Sequence, residues 1–376
     1  MERKNILFIS SWFPNKIEPA NGNFVQRHAE AVSLKHNVEI LHSIGDFDQD
    51  VKYLFDEKVI NGIRTLIVYY KNSKNPFQNF SRRMKAYKMG FSRMQKPDLV
   101  HANVLHNNML FAVYLKKKYR IPFVVTEHWT ALRKINQNVT SKIVKLTAVF
   151  IGNQAEVVLP VSQDLLSGLK SLGIKSEMKV IPNVVDTKLF SPQIKIDNEF
   201  TFIHVSNLIP RKNPEKILNI AIKLLENGFL FKIQIGGDGD DEIIKKLENR
   251  VDNSNFHDKI EIFGIQTLDQ IAERMRNSDC FILFSDDENQ PCVIAEAFAS
   301  GLKVITTNVG GIAEFFPENA GILLETQNVE MLEKAMIKVL QNGKDHDRKE
   351  LSQYAEDKFS IEKIAESYNG IYEQIL

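Results

Sequence analysis

The chain has 376 residues, 43% hydrophobic and 25% charged, which suits a soluble globular protein of two domains and excludes a disordered, collagenous or coiled-coil chain. Two cysteines, Cys280 and Cys292, are too few for a disulfide framework or a zinc cage, so a reducing cytoplasm is expected. The net charge of +1 hides an asymmetry, since residues 1–190 hold 28 Lys and Arg against 15 Asp and Glu, while residues 191–376 hold 20 against 32. A basic first half either meets an anionic surface or attracts the second half across a cleft.

The opening MERKNILFIS reads as a first strand and not as a signal peptide, because its apolar run is short and ends at Ser10. No stretch approaches the ~18 apolar residues of a membrane span. Short β-branched runs predict strands at Asn5–Ser10, Val38–His42, Thr65–Tyr70, Leu99–Ala102, Phe123–Thr126 and Val157–Val161. Prolines around an extended stretch, IPNVVDTKLFSP, place a boundary within Val180–Pro192. Six further strands follow at Phe200–Val205, Phe231–Gly236, Ile260–Gly264, Cys280–Phe284, Lys303–Thr307 and Gly321–Leu324, with helices between them such as 214–227 and 267–277. Helical segments at 329–341, 345–358 and 361–376 close the chain. Strands alternating with helices imply parallel sheets covered on both faces: an α/β fold of two Rossmann-like, doubly wound domains facing one another.

The chemistry concentrates in CFILFSDDENQPCVIAEAFASGLKVITTNVGGIAEFF, residues 280–316. A buried strand ends at Ser285, a polar loop follows, a helix starts about Pro291 and Gly301 closes it. The amides of Cys292 and Val293 at that helix start suit a diphosphate. Glu288 precedes the helix and Glu296 lies inside it, ~7 Å along the axis from its start, so the two carboxylates can serve opposite sides of one ligand or simply be solvated.

The E-x7-E spacing followed by EAFASGLKVITTNVGGIAE resembles the retaining glycosyltransferases of family 4, which have the GT-B architecture. The resemblance extends through NGNFVQRHAEAV, DLVHAN, VVTEHW, VIPNVVDTKLF and HVSNLIPRKNPEKIL, in the family's order. It implies domains at 1–187, with helix 361–376 returning to it, and 188–360. It further implies that Glu288 contacts the donor sugar at the reacting face, that Glu296 takes the ribose hydroxyls and that Lys212 neutralises the donor diphosphate. Gly22 matches the loop glycine that lets backbone approach phosphate or acceptor, His128 the histidine at the cleft floor, and Gly264 to Gln266 border the base. The implied activity is retaining, metal-independent transfer from a nucleotide-diphosphate sugar to a glycan or lipid-linked acceptor of cell-surface polysaccharide or glycolipid synthesis, with no cofactor. Front-face substitution is favoured, Glu288 orienting without covalent attachment.

Two departures stand out. Asn207 occupies the place of the family's usual arginine, which leaves Arg211 either to replace it or to face solvent. NQPCVI stands where a Gly-Phe-Gly-type segment is common, so the sugar pocket should differ. Rival readings are an epimerase of the same architecture, separable by incubation with donor alone, and a silent carbohydrate-binding subunit. An NAD enzyme lacks its glycine fingerprint here. Asp238-Gly239-Asp240 spells a metal-type DxD but reads as a strand-end turn, the Gly310–Gly311 pair reads as another, and His101, His106 and His128 show no metal-ligand spacing.

From Lys58 to Pro97 there are ten Lys and Arg and no acid, with Phe80, Met84, Tyr87, Phe91 and Met94 at helical spacing. The apolar stripe is either core or a membrane face. The charge suggests peripheral contact with an anionic membrane at its inner, cytoplasmic face; no nucleic-acid motif accompanies it.

Overall fold

The computed structural model describes residues 2–19, 21–193, 199–239, 241–343 and 347–376. The chain divides into two units, Met1–Val184 with Ile361–Leu376, and Val185–Ser360. In the first unit the elements run β1 (Asn5–Ser10), α1 (Asn23–Ser33), β2 (Asn37–Asp46), β3 (Tyr53–Ile60), β4 (Ile63–Lys71), α2 (Pro76–Phe91), β5 (Leu99–Asn103), α3 (Leu110–Tyr119), β6 (Phe123–Glu127), α4 (Lys142–Gly152), β7 (Val157–Pro160), α5 (Gln163–Leu172) and β8 (Glu177–Met178). The sheet order is β3-β4-β2-β1-β5-β6-β7-β8, parallel except for the β3–β4 hairpin.

Two of these strands go beyond the six that the sequence predicts. β3 is hidden by Asp56, Glu57 and Lys58, which break its apolar alternation at the sheet edge. Its turn is nevertheless written as Asn61–Gly62, both with positive φ (48° and 80°), the hairpin dipeptide that matches strand twist. β8 has only two residues, too few to leave a periodic signal.

Asn75 caps α2 by accepting from the amides of Phe77 and Gln78, and Pro76 opens it. Most of the apolar stripe turns inward: Tyr87 is fully buried, and Met84, Phe91 and Met94 pack against the same core, while Phe80 is half-buried outside it. Much of the nearby positive charge is also used within the unit. Arg64 pairs with Glu39 and Glu57 at 2.6 and 2.7 Å, Lys58 with Asp56 at 2.8 Å, and Arg83 donates to Tyr70 Oη and Asn107 Oδ1 at 3.2 and 2.9 Å.

The second unit runs β9 (Thr201–Val205), α6 (Pro214–Glu226), β10 (Lys232–Gly236), α7 (Asp241–Asp252), β11 (Ile260–Phe263), α8 (Leu268–Arg276), β12 (Cys280–Leu283), α9 (Cys292–Ala299), β13 (Lys303–Thr307), β14 (Gly321–Leu324), α10 (Val329–Asn342) and α11 (Arg348–Phe359). The predicted helix start at Asp345 lies outside the described residues. All six strands are parallel in the order β11-β10-β9-β12-β13-β14. Chain order reverses between β9 and β12, so the loops leaving their carboxyl ends diverge and open a crevice there. In the first unit the same reversal falls between β1 and β5.

The last helix, α12 (Ile361–Ile375), belongs to the first unit and packs beside α1. Its Tyr368 and Tyr372 enter a buried polar chain. Tyr372 Oη meets His101 Nδ1 at 2.5 Å, His101 Nε2 meets Thr126 Oγ1 at 2.6 Å, Thr126 Oγ1 meets Tyr368 Oη at 3.1 Å, and Tyr368 Oη meets His28 Nδ1 at 2.8 Å.

Burial lowers the pKa of His28 to about 3 and of His42 and His204 to about 4, and holds His101 and His128 well below the usual value. Each is neutral when folded and protonated near 6.5 when unfolded. The stability this gives is therefore complete above pH 6.5 and is lost as pH falls toward the folded values, at up to about 1.4 kcal/mol per pH unit for each imidazole. The denaturant midpoint should fall steadily from pH 7 to 4.5; a flat midpoint would contradict the burial of neutral imidazoles.

Candidate active site

In the second unit the reversal point is built by two loops bonded to each other. After β9 the chain makes a 3-10 turn at Pro210–Lys212, ending at Asn213 with φ 53°. After β12 it runs through Asp286 and Glu288 to α9. The Asp286 amide donates to the Arg211 carbonyl at 2.8 Å, and Asn213 Nδ2 donates to the Phe284 carbonyl at 3.0 Å and to Asp286 Oδ1 at 2.5 Å. These bonds bring Lys212 Nζ onto Glu288 Oε1 in a buried ion pair; Lys212 is 9% and Glu288 6% exposed. Such a pair offsets its desolvation only while both charges remain.

Pro291 is the N-cap of α9, one position earlier than the first helical turn, and Cys292 and Val293 are its first residues, half-buried. Glu296 is buried on the same helix, at 3% exposure. Arg211 has its carbonyl in the loop staple and its side chain exposed; Asn207 is exposed at the end of β9. Gly264 and Gln266 follow β11, the former exposed with nothing within 4 Å of a Cβ placed on it. The Asp238–Gly239 stretch forms a turn paired to the chain after β9: the Leu208 amide donates to the Asp238 carbonyl at 2.5 Å. Asp240 lies outside the described residues, and among the described residues no His, Cys, Asp and Glu group could hold a metal ion. Gly310, with φ 63°, turns the chain so that Gly311 donates its amide to the Asn289 carbonyl at 2.9 Å.

In the first unit Gly22 is the N-cap of α1, with φ 77°. A Cβ there would lie 2.5 Å from the Trp12 carbonyl, so only glycine lets the loop press against the end of β1. His128 follows β6, its ring tilted against that of Phe24 with centroids 4.1 Å apart and 5.2 Å from that of His28. Trp12 and Trp129 meet edge to face at 5.9 Å, and His106 lies 5.9 Å from Trp129. The sequence singles out His128 but not this aromatic surround, although both tryptophans of the chain closely follow strands within it.

Glu127 is also new. It is fully buried and accepts from the amides of His128 at 2.8 Å, Trp129 at 2.6 Å and Leu105, which ties the loop after β6 to the loop after β5. The second loop carries Val104 at φ 69°, a strained conformation for a β-branched residue, costing roughly 1–3 kcal/mol. Burial pushes the Glu127 carboxyl up to about 7 against the pull of the three amides.

Two α/β sheets, parallel except for one hairpin and each with polar residues beyond the carboxyl ends of its strands, define a doubly wound fold of the kind that binds ligands at its order reversals. Residues 186–358 match the profile of "Glycosyl transferases group 1" and residues 23–189 that of "Glycosyltransferase Family 4". An uncharacterized glycosyltransferase of Methanocaldococcus jannaschii is 25% identical over 85% of this chain and 88% of its own. The UDP-Gal:alpha-D-GlcNAc-diphosphoundecaprenol alpha-1,3-galactosyltransferase of Escherichia coli is 26% identical over 66% of this chain and 67% of its own. Sucrose-phosphate synthase from Thermosynechococcus elongatus shares the fold, with a TM-score of 0.79 at 19% identity over 99% of both chains. The chain belongs to glycosyltransferase family 4 and is a nucleotide-sugar glycosyltransferase with the GT-B architecture.

Replacing Glu127 by Gln keeps an acceptor for His128 and Trp129 but turns an amide toward the Leu105 N–H. The variant should be less stable by about 1–3 kcal/mol at pH 5. Because the wild-type carboxyl has a raised pKa, its stabilising contribution is complete below about 4.5 and is lost as pH rises through about 7. Denaturation curves should show the gap between the proteins narrowing over that window; a gap that widens would reject the assignment.

Proposed function

We propose that the enzyme moves a sugar, with retention, from a nucleotide-diphosphate donor to a glycan or lipid-linked acceptor in cell-surface polysaccharide or glycolipid synthesis, without a metal ion. The buried Lys212–Glu288 pair at the β9–β12 reversal, beside the start of α9, carries this reading. Lys212 faces the diphosphate, with the first amides of α9 adding positive potential where leaving-group charge develops. Glu288 orients the sugar at the reacting face, Glu296 takes the ribose hydroxyls, and Gly264 to Gln266 border the base. In front-face substitution the bond from the anomeric carbon to the diphosphate oxygen breaks as the acceptor oxygen bonds on the same face. The acceptor proton passes to the leaving phosphate. His128 acts with Glu288 in catalysis, and Gly22 lets backbone approach the phosphate or the acceptor. The galactosyltransferase relative, whose name specifies UDP-galactose and a diphosphoundecaprenol acceptor, supports a UDP-type donor and a lipid-linked acceptor. A lipid-linked acceptor favours work at the inner membrane face, where the uncompensated lysines of residues 58–97 would meet anionic lipid.

In a thermal-shift panel of nucleotide sugars at one concentration, the donor, once at 100 times its dissociation constant, should add about 2.7 kcal/mol of stability and so be identified. With that donor, Glu288→Ala should nearly abolish transfer with modest loss of donor affinity. Lys212→Ala should reduce turnover by about 10²–10³ and weaken donor binding, and Glu296→Ala should weaken donor binding. Glu288→Ala leaves a buried lysine unpaired, at a cost of about 3–5 kcal/mol, so Glu288→Gln is measured beside it. Wild-type turnover in either folded Glu288 variant would remove this carboxylate from the mechanism.

Transfer should continue at full rate in excess chelator. Activity lost in chelator and restored by magnesium or manganese would overturn metal independence and return attention to residues 238–240.

A further inference from the structure

Helix α4 is apolar on two opposite sides. Ala148 and Ile151 are buried, and Val144 and Val149 pack on the core that α2, α3 and α5 share. Ile143, Leu146 and Phe150, spaced by three and four residues, point away from that core and are 78%, 71% and 45% exposed. Ile135 and Val139, in the loop leading to α4, extend the row at 74% and 87% exposure. That loop is held in shape: Gln137 Nε2 donates to the Gly168 carbonyl at 2.9 Å, Lys145 Nζ to the Gln137 carbonyl at 2.8 Å and Thr140 Oγ1 to the Ala131 carbonyl at 2.7 Å. A helix apolar all round is expected to be covered on both sides.

The charge around the row identifies the cover. From His128 to Ala155 the sequence has no Asp or Glu, while Lys134, Lys142 and Lys145 flank the apolar residues. The ammonium of Lys117 on α3 lies 5.5 Å from the Phe150 ring, and Lys118 and Lys88 lie 5.5 and 4.6 Å from that of Tyr114. α4 is thus joined through α3 to the basic outer side of α2. A second copy docked by a two-fold axis would set lysine rim against lysine rim. An anionic bilayer instead accepts the apolar row at its acyl boundary and the ammonium groups at its phosphates.

We infer that the outer face of α4, with Ile135 and Val139, inserts into the surface of an anionic membrane. This deepens the membrane contact of the proposed function and rests on that contact, not on the sugar chemistry. The test is cosedimentation of the full chain with phosphatidylglycerol-containing vesicles and with phosphatidylcholine vesicles. The proteins are wild type, Ile143→Asp/Leu146→Asp and Lys85→Glu/Lys88→Glu, each checked for an unchanged thermal midpoint. Wild type should prefer the anionic vesicles, and the Asp pair should lose affinity by about tenfold or more. If the Asp pair binds as wild type does while the Glu pair does not, insertion fails and a purely electrostatic contact stands. If wild type binds neither vesicle, both fail. A concentration-dependent dimer abolished by the Asp pair, with no vesicle binding, would assign the face to a second copy.

Discussion

The buried pairing of Lys212 with Glu288 is the constraint on which the loop geometry at the second unit's reversal point depends. Neither charge can be buried alone, because the desolvation of one would cost several kcal/mol, so their two loops must close on each other. They are 76 residues apart in sequence. What joins them is the parallel register of β9 with β12, Cys280 opposite Phe202 and Phe281 opposite Ile203, which brings both carboxyl ends to one place. The staple through Asp286, Arg211 and Asn213 then removes the remaining freedom. Sheet order fixes the neighbourhood and three hydrogen bonds fix the geometry.

The first unit solves a different problem, that of burying polar groups without charge. His101, His28, Thr126, Tyr368 and Tyr372 are linked in a chain of neutral hydrogen bonds, which costs far less than burying ions. Two of the five lie on α12, up to 340 residues away from their partners. Without α12 the imidazoles would face either unpaired burial or water at an apolar face also lined by Phe8 and Val124. Helix α12 is therefore part of the first core, and the first unit is complete only when the chain has returned to it after the second.

What the sequence makes legible follows from what leaves a local trace. Strands at 5–10, 99–102 and 280–284 are apolar runs between turn residues, and the structure has strands there. The edge strand β3 has a charged middle because it needs only one covered face, so its pattern resembles a loop. Lys212 and Glu288 are visible through family resemblance, yet their direct pairing is not, since it depends on strand order. Glu127 is written next to His128 in VVTEHW, but its role as the acceptor of three amides belongs to loop geometry. The stripe on α2 and the row on α4 look alike as strings; only the placement of each helix on the sheet tells which side is covered.

The pairing also bears on the arginine that this chain lacks. Lys212 and Glu288 together carry no net charge, Asn207 is neutral, and Arg211 extends its side chain outward from a backbone held by Asp286. The start of α9 adds fixed positive potential, equivalent to about half an elementary charge. Under the proposed transfer, a diphosphate competes with Glu288 for Lys212, and the carboxylate released from the lysine becomes an acceptor for a sugar hydroxyl. Donor affinity and the orientation of the sugar are then two consequences of one exchange of partners. A guanidinium at position 207 would bind diphosphate more tightly but would weaken that link, because the phosphate would no longer have to draw the lysine away from Glu288.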